Sequence, residues 1–303
     1  MMKWSVIVFV IFIASTATYY YIQSSGVIEL TGGISKHIDR ALLVAPIDVS
    51  EYGVGILKLH DGRGTVVTSS VPGHLVADVT LGKPRASVVK GEDADVYVLM
   101  HINGGGTGTF QYLVRYQYTG STRSVSEVEK VLLGDRITVS DIATDVIAPA
   151  QYVVSVSLKD RKPREGMFVE PTQERVLQFS LKIGALSLDA VTFGTLADND
   201  VVLVSPLPSN EVNSLFSIQG AARGVWYFEG SFPIELRKAD GTVLASAIAQ
   251  AQGEWMTSEL VPFTTTMVAP NTAHGYHILV LKKDNPSGDP ANDKSIEIPI
   301  VLK

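Results

Sequence analysis

The sequence contains no cysteine. Disulfides, thiolate metal sites, thiol nucleophiles and the lipid-carrying cysteine of lipoproteins are therefore excluded. An excess of basic charge is missing too, because 25 lysines and arginines are mixed along the chain with 31 aspartates and glutamates, for a net charge of -6. Because the chain has no basic stripe to follow a phosphate backbone, we expect no nucleic-acid partner.

Local motifs of catalysis are also absent. There is no Gly-x-Ser-x-Gly elbow, and none of the 6 histidines has a local metal-ligand spacing. His274 and His277 are three apart, which on a strand points them to opposite faces. The glycine run at 104–108 lacks the Gly-Lys-Ser/Thr ending of a phosphate loop and precedes a strand pattern, so it is interpreted as a hairpin loop. We predict no enzyme and no cofactor. The alternative is catalytic groups that converge from distant positions.

The only long apolar run lies at the start, where Lys3 precedes the uncharged residues 4–22. A helix of that length reaches roughly 29 Å, about the thickness of the bilayer hydrocarbon. Three tyrosines at 19–21 suit an interfacial belt, and Lys3 favours a cytoplasmic N-terminus. We therefore expect residues 1–25 to form a single-pass membrane anchor, with the bulk of the chain extracytoplasmic.

A cleaved signal peptide is the alternative for the same segment. Ser15 and Ala17 are small residues at a plausible cleavage spacing. The apolar character continues through Ile22, which favours the anchor. Both interpretations export the protein, the second as a secreted chain.

Residues 26–189 are dominated by alternation of apolar and polar side chains, the pattern of half-buried strands. The clearest predicted strands are 95–101, 112–118, 154–158 and 177–183. The first of them is nearly all apolar, as a central strand would be. This pattern predicts a β-rich extracytoplasmic domain.

One short helix is predicted at 124–133. Ser124 and Glu127 have capping-box spacing, and Val125, Val128 and Leu132 would share a helix face. The β-branched residues of the segment oppose a helix.

A mixed segment at 190–200 carries no amphipathic period and is predicted to link two domains. Beyond it, the alternating runs 232–236 and 296–302, the turn Asp240-Gly241 and the apolar run 278–281 indicate about seven short strands in roughly 100 residues. Pro299 lacks an amide hydrogen, which predicts an edge strand. The fold class is therefore mainly β, with a β-sandwich at 201–303.

Uncommon blocks follow one another in this last third: 205–207 (SPL), 220–224 (GAARG), 226–229 (WYFE), 231–233 (SFP), 249–253 (AQAQG), 255–257 (WMT), 261–263 (VPF) and 284–288 (DNPSG). In these blocks residues 201–303 resemble the immunoglobulin-like domain of bacterial spore-germination and sporulation proteins. The resemblance implies an extracellular sandwich without established catalytic residues, and hence a surface or interaction role. It does not imply that the organism sporulates.

Residues 50–188 resemble a domain of bacterial envelope lipoproteins of unassigned function. The blocks that carry this resemblance are 104–110 (GGGTGTF), 133–136 (LGDR), 160–163 (DRKP) and 184–186 (GAL). Two departures stand out. The lipid-attachment cysteine is missing, and an aspartate-rich loop is reduced to 91–93 (GED), which argues against cation binding there.

Oxygen-bearing side chains crowd a segment near the C-terminus. Asp284, Asp289 and Asp293 are candidate calcium ligands. The spacing is not that of an EF-hand, and turn chemistry explains the same residues, because aspartate and asparagine bond their own backbone in tight loops. Turn formation is the favoured interpretation, and no metal is expected.

The aromatic block at 226–228 offers a platform for a glycan or a peptide, or else core side chains. Strand alternation would place Trp226 and Phe228 inside together with Trp255, and leave Tyr227 outside. Arg223 and Glu229 flank the block and could form an ion pair. The candidate interaction surface consists of Arg223, Tyr227, Glu229, Asp284 and Asn285.

Three functions are compatible with these observations. The first is a membrane-anchored binding or scaffolding protein of the cell envelope, whose partner is an envelope protein or a cell-wall component. The second is an envelope hydrolase or glycan-processing enzyme with its site in the middle domain. The third is a spacer that holds another component away from the membrane. The first is preferred.

Overall fold

The computed structural model describes residues 32–52, 55–67, 75–104, 106–148, 151–195 and 199–303. The chain is mainly β, as predicted, and the described residues contain one α-helix. The predicted anchor at 1–25 lies outside the described residues. Within the described ranges, no helix combines the length and the apolar character needed to cross a bilayer.

The described residues divide into two compact units. The first comprises residues within 24–160 and 179–187, and the second comprises 161–178 and residues within 188–303. Residues 190–194 continue a strand in which Val191 and Phe193 are buried, and the next strand begins at Asn199. Strand structure therefore runs through much of the segment expected to be a linker, because apolar side chains there enter the core. The domain bounds themselves stay a prediction.

The first unit contains one helix and nine complete strands: α1 (Gly32–Leu43), β1 (Pro46–Asp48), β2 (Ile56–Lys58), β3 (Arg63–Val67), β4 (Leu75–Lys90), β5 (Asp93–Asn103), β6 (Phe110–Thr119), β7 (Ser124–Asp135), β8 (Thr138–Ala148) and β9 (Gln151–Asp160). Strands β3 to β7 form an antiparallel sheet in sequence order, β1 pairs with β2, and β8 pairs with β9. Short connections between sequential antiparallel strands explain this simple order.

Strand β5 lies at the centre of the five-stranded sheet, as its apolar sequence predicted. Val96, Val98 and Met100 enter a core that also contains Ile38 and Leu42 of α1. On the other face, the ring of Tyr97 meets that of Tyr152 edge-on, with 6.3 Å between centroids. Because both faces of β5 are covered, nearly every side chain in it is buried.

The predicted helix at 124–133 is wrong. The segment is strand β7, which pairs with β6 from Ser124 to Asp135. Val128 and Leu132, assigned to a buried helix face, are 44% and 54% exposed. The β-branched residues suit a strand, and the ladder to β6 satisfies the backbone more completely than a ten-residue helix would.

Two strands contribute residues to both units, and eight more lie wholly in the second: β10 (Gln173–Lys182), β11 (Ala185–Gly194), β12 (Asn199–Ser205), β13 (Glu211–Val212), β14 (Leu215–Arg223), β15 (Ser231–Arg237), β16 (Val243–Ala251), β17 (Leu260–Val268), β18 (Gly275–Lys282) and β19 (Ser295–Leu302). In the second unit the strand order is β13-β19-β18-β15-β16-β17-β14-β12-β11. Strands β16 and β17 share only two register pairs, which indicates the turn from one layer of a sandwich to the other.

The core of the second unit joins side chains from these layers. Phe232 of β15 and Phe263 of β17 meet edge-on, with 5.0 Å between ring centroids. Alternate residues of β15 and β19 are buried, as the period-two pattern predicted. Pro299 pairs with Ile278 of β18, and on its other side its carbonyl oxygen accepts from the amide of Ser209 at 2.7 Å, just before β13 pairs with β19 at Val301 and Leu302. The prediction that this is an edge strand is therefore wrong for β19 as a whole, because β13 lies outside it in the sheet, although Pro299 itself precedes the residues that pair with β13.

Candidate functional site

A 3₁₀ turn at Gly224–Trp226 interrupts the aromatic block, so strand alternation does not apply there. Consecutive residues Trp226 and Tyr227 are both buried, whereas Phe228 is 42% exposed and Trp255 is only partly buried. The expectation that Trp226 lies inside is confirmed. The assignment of Phe228 to the core was wrong, because one turn of 3₁₀ helix shifts the direction of every side chain after it.

Tyr227 was predicted to belong to an interaction surface, and this prediction was wrong. Its side chain is 4% exposed, its ring lies 5.1 Å from that of Phe232, and its hydroxyl donates to the carbonyl oxygen of Val261 at 2.7 Å. The hydroxyl satisfied inside the core explains how a tyrosine can occupy an interior position.

Arg223 and Glu229 do not form the suggested ion pair. The guanidinium of Arg223 donates from Nε to the carbonyl oxygen of Asn199 at 2.7 Å and from Nη1 to that of Ser258 at 2.9 Å. Glu229 and Gly230 both have positive φ, 51° and 74°, at the centre of a tight turn. Arg223 therefore holds loops together, while Glu229 is exposed to solvent.

The loop between β16 and β17 packs directly on Gly224. A Cβ atom on Gly224 would lie 2.0 Å from the carbonyl oxygen of Thr257 and 2.3 Å from that of Trp255. The amide of Gly224 also donates to the carbonyl oxygen of Glu259 at 3.1 Å. Residues 255–259 are thus held directly against the 3₁₀ turn, an approach that only a residue without a side chain permits.

Three exposed apolar side chains belong to the segments that pack together at Gly224, and we call them the apolar end surface. It consists of Val225, Phe228 and Met256, which are 62%, 42% and 74% exposed. Met256 lies between the two residues that touch Gly224, the neighbour of Val225. Scattered exposed apolar residues are ordinary, but a group assembled by two packed loops is a candidate contact surface.

Carboxylates predominate in the three segments that meet here, 223–230, 252–259 and 283–285. Glu229, Glu254 and Glu259 are exposed. Asp284 is held close by its amide, which donates to the carbonyl oxygen of Trp226 at 3.0 Å. These four carboxylates outnumber the two basic residues of the same segments, Arg223 and Lys283, so the segments carry a net charge of −2.

The candidate calcium ligands are used in turn bonding. Asp289 caps the 3₁₀ turn Pro290–Asn292 by accepting from the amide of Ala291 at 3.0 Å. Asn285 donates from Nδ2 to Oδ1 of Asp293 and to the carbonyl oxygen of Asp289, each at 2.8 Å. In the part of the chain that the structure describes, no group of three or more acidic or histidine side chains is arranged to hold a metal ion.

Replacing Gly224 by alanine should lower the free energy of unfolding by about 2 kcal/mol, because the added methyl group collides with two backbone oxygens that cannot move independently. Urea denaturation followed by circular dichroism would measure this, since the strands of both units contribute to the signal. Gly106→Ala is the matched control, because a Cβ there meets nothing within 4 Å. Equal free energies of unfolding for the two variants would contradict the proposed close packing of residues 255–259 on Gly224.

The first unit contains a buried polar network that sequence reasoning missed. Asp95 is 2% exposed. It accepts from the hydroxyl of Tyr152 at 2.5 Å and from Nζ of Lys90 at 2.6 Å, and it lies 3.7 Å from Nη2 of Arg115. Tyr152 accepts in turn from the hydroxyl of Tyr97 at 2.9 Å. The only local signal is a charged residue at the start of an apolar strand, which demands a partner.

Arg115 extends this network toward the turn between β10 and β11. Its Nη1 donates to Glu129 at 3.0 Å and to the carbonyl oxygen of Gly184 at 2.6 Å. Glu129 also accepts from the amide of Leu186 at 3.0 Å. One guanidinium therefore contacts two carboxylates and a backbone carbonyl oxygen, and it stabilises the packing of these strands. The carboxylate of Asp95 is fully engaged in these contacts and is not available as a free acid or base.

The network shifts the pKa values of its members in opposite directions. Burial acts to raise the pKa of Asp95, but hydrogen bonds from Lys90 and Tyr152 and the charge of Arg115 outweigh it, so the pKa lies below its ordinary value. Burial and the neighbouring Asp95 raise the pKa of Tyr152 to about 12. At neutral pH the carboxylate is charged and both tyrosines keep their protons.

The glycine run connects β5 to β6, so the hairpin interpretation is confirmed for its described residues. The amide of Thr109 donates to Oδ1 of Asp135 at 2.8 Å, and the amide of Arg136 donates to the carbonyl oxygen of Thr109 at 2.8 Å. The loop is thereby fastened to the end of β7.

His274 and His277 line one cavity, contrary to the expectation of opposite faces. His274 precedes β18, whose first residue is Gly275, so strand alternation does not extend to it. The cavity has a volume of about 370 Å³ and is also lined by Lys238, Leu244, Pro270, Thr272, Ala273 and Tyr276.

Comparison with protein families identifies residues 200–289 as an immunoglobulin-like domain of bacterial spore germination. The match spans the strands from β12 through β18 and includes the apolar end surface. It agrees with the resemblance carried by the sequence blocks, and it links the second unit to spore-germination-related proteins. A comparison with curated proteins gave no match.

Proposed function

We propose that the protein is a membrane-anchored, extracytoplasmic binding or scaffolding protein of the bacterial cell envelope, and that it is not an enzyme. The apolar end surface of the immunoglobulin-like unit carries this proposal. Val225, Phe228 and Met256 are exposed on segments that pack closely together at Gly224, and loops at the end of a sandwich are a common place for recognition.

The charge around this surface indicates the chemistry of the partner. Exposed Glu229, Glu254 and Glu259 favour basic side chains and would be repelled by anionic lipid headgroups. We therefore infer that the partner is a protein segment with an apolar side chain flanked by lysine or arginine. The apolar group would fill the centre of the contact, and the charges would steer its approach.

Photocrosslinking in intact cells tests this function. A benzophenone amino acid at Met256 should give a discrete crosslinked protein, and the captured segment should contain lysine or arginine beside an apolar residue. The same group at Phe168, which is 92% exposed on the same unit, is the matched control. The variants Glu229→Lys and Glu254→Lys should reduce the yield at Met256.

Three outcomes would contradict the proposed partner. They are crosslinks to lipid, equal products from positions 168 and 256, or a yield that charge reversal leaves unchanged. Binding of a synthetic peptide copied from the captured segment should also weaken as salt is raised, because exposed charge pairs are screened.

Localisation needs a separate measurement. Alkaline phosphatase fused after Lys303 should be active, and a green fluorescent protein fused at the same position should not accumulate in the cytosol. Removal of residues 4–22 should abolish phosphatase activity. N-terminal sequencing of the mature chain then distinguishes a retained anchor from cleavage near Ala17. Phosphatase activity that persists without residues 4–22 would exclude them as the export signal.

A further inference from the structure

The cavity at the beginning of β18 is lined by both basic and apolar residues. Among its lining residues, Lys238, His274 and His277 have side chains that contain nitrogen, and Thr272 has a hydroxyl. Leu244, Pro270 and Ala273 supply the apolar surface. A volume of about 370 Å³ suits a small organic molecule.

Both imidazoles are oriented by the main chain. Nδ1 of His277 lies 3.0 Å from the carbonyl oxygen of Gly275, and Nδ1 of His274 lies 2.8 Å from the backbone oxygen of Lys303. Because a backbone oxygen can only accept, Nδ1 carries the hydrogen in each ring. The Nε2 atoms are left for a ligand, as acceptors when the rings are neutral and as donors when they are protonated.

We propose that this cavity binds a small organic anion, a carboxylate on an apolar body, and that protonation of His274 and His277 strengthens the binding. The ammonium of Lys238 supplies one permanent positive charge, and it disfavours a metal cation at the same place. Each protonated imidazole adds a charge-assisted donor, while the apolar wall receives the body of the ligand.

The charged surroundings of the two histidines are compatible with this proposal. Beside His274, Lys303 is paired with Glu211 at 3.4 Å. Tyr276 donates its hydroxyl to the carbonyl oxygen of Pro163 at 3.3 Å. The remaining charged groups on neighbouring strands bond one another: Arg237 and Lys282 with Glu235, and Arg164 with Glu297. Asp240, in the turn after Lys238, is also a charged neighbour: its carboxylate accepts from the amide of Thr242 at 2.9 Å, and that bond together with the charge of Lys238 lowers its pKa.

Calorimetric titration of the full chain in a non-ionic detergent, with benzoate as the probe, tests the proposal. Benzoate should bind about tenfold more tightly near pH 5.5 than near pH 8, the range in which histidine side chains change charge. Benzyl alcohol, which has a similar body without the charge, should bind weakly at both pH values. Absence of benzoate binding at both pH values would overturn the proposal.

Variants assign the effect to the cavity. His274→Gln/His277→Gln should abolish the pH dependence, and Lys238→Gln should weaken binding about tenfold at both pH values through loss of a charge-assisted hydrogen bond. Lys238 is exposed, so its variant is expected to fold normally. His60→Gln, an exposed histidine of the first unit, is the control. Pocket variants that bind benzoate like the control would also overturn the proposal.

Discussion

Replacing Arg115 by leucine should lower the free energy of unfolding of the first unit by about 3 kcal/mol. The side chain is 11% exposed and joins Asp95, Glu129 and the carbonyl oxygen of Gly184. Its loss leaves the partly buried Glu129 beside only the amide of Leu186, and removes one of the charges that stabilise Asp95. The cost comes from carboxylates left without compensation and not from the attraction of a surface ion pair.

Hydrogen exchange of the β5 and β6 amides would measure this loss, because Trp226 and Trp255 report the other unit. Arg63→Leu removes an exposed arginine of the same unit and should change stability by less than about 0.5 kcal/mol. The double variant Arg115→Leu/Glu129→Gln should recover part of the loss, because it removes one uncompensated charge. Strictly additive losses would contradict the proposed coupling.

The effect of Arg115→Leu should also depend on pH. The folded-state pKa of Asp95 is lowered, so its charged form contributes stability above the ordinary carboxyl range. That contribution is lost as the pH falls through the lowered pKa. The difference between wild type and variant should therefore shrink between about pH 5 and about pH 2, where protonation removes the charge that Arg115 compensates. A difference independent of pH would indicate that Arg115 acts through packing alone.

Most strands could be predicted because their side chains alternate and lie in sheets with a core on one face. The runs 232–236 and 296–302 show this directly, since their apolar positions are the buried ones. The segment 124–133 could not be predicted in the same way. Its capping-box spacing is a local signal, and a long ladder to β6 overrides that signal.

The polar network of Asp95 was beyond sequence reasoning for another reason. Tyr152 is 57 positions from Asp95 in the sequence, and Arg115 reaches Gly184 across 69 positions. Such contacts depend on the placement of whole strands, so no local spacing announces them. A charge within an apolar strand indicated that some partner exists, and it gave no indication of which residue supplies it.

That Arg223, Glu229 and Asp284 belong to an interaction surface stays a prediction. The structure places Tyr227 inside, and it exposes Val225 and Met256, which the sequence analysis did not consider. The predicted and observed side-chain directions differ because of a single 3₁₀ turn at Gly224–Trp226. This turn has no local sequence signal, because the glycine at 224 is needed for close packing against the carbonyl oxygen of Thr257, 33 residues later.

Replacing Trp226 by alanine should lower the free energy of unfolding of the second unit by about 4 kcal/mol, and should weaken binding through the apolar end surface. Trp226 is fully buried, it packs edge-on against Phe232 with 6.0 Å between ring centroids, and its carbonyl oxygen fixes Asp284. A cavity of indole size at this point removes support from the 3₁₀ turn and from Val225 above it.

Two further variants separate volume from hydrogen bonding in this prediction. The indole Nε1 of Trp226 has no hydrogen-bond partner among the described residues, so Trp226→Phe should cost only about 1 to 2 kcal/mol, for lost volume alone. Trp255→Ala, at a partly buried position, should cost less than about 2 kcal/mol. Urea denaturation followed by circular dichroism compares all three. If Trp226→Ala lowered the free energy of unfolding no more than Trp255→Ala does, the 3₁₀ turn would not depend on the core around Trp226. The position of the apolar end surface would then depend on Gly224 and on the β16–β17 loop that packs on it.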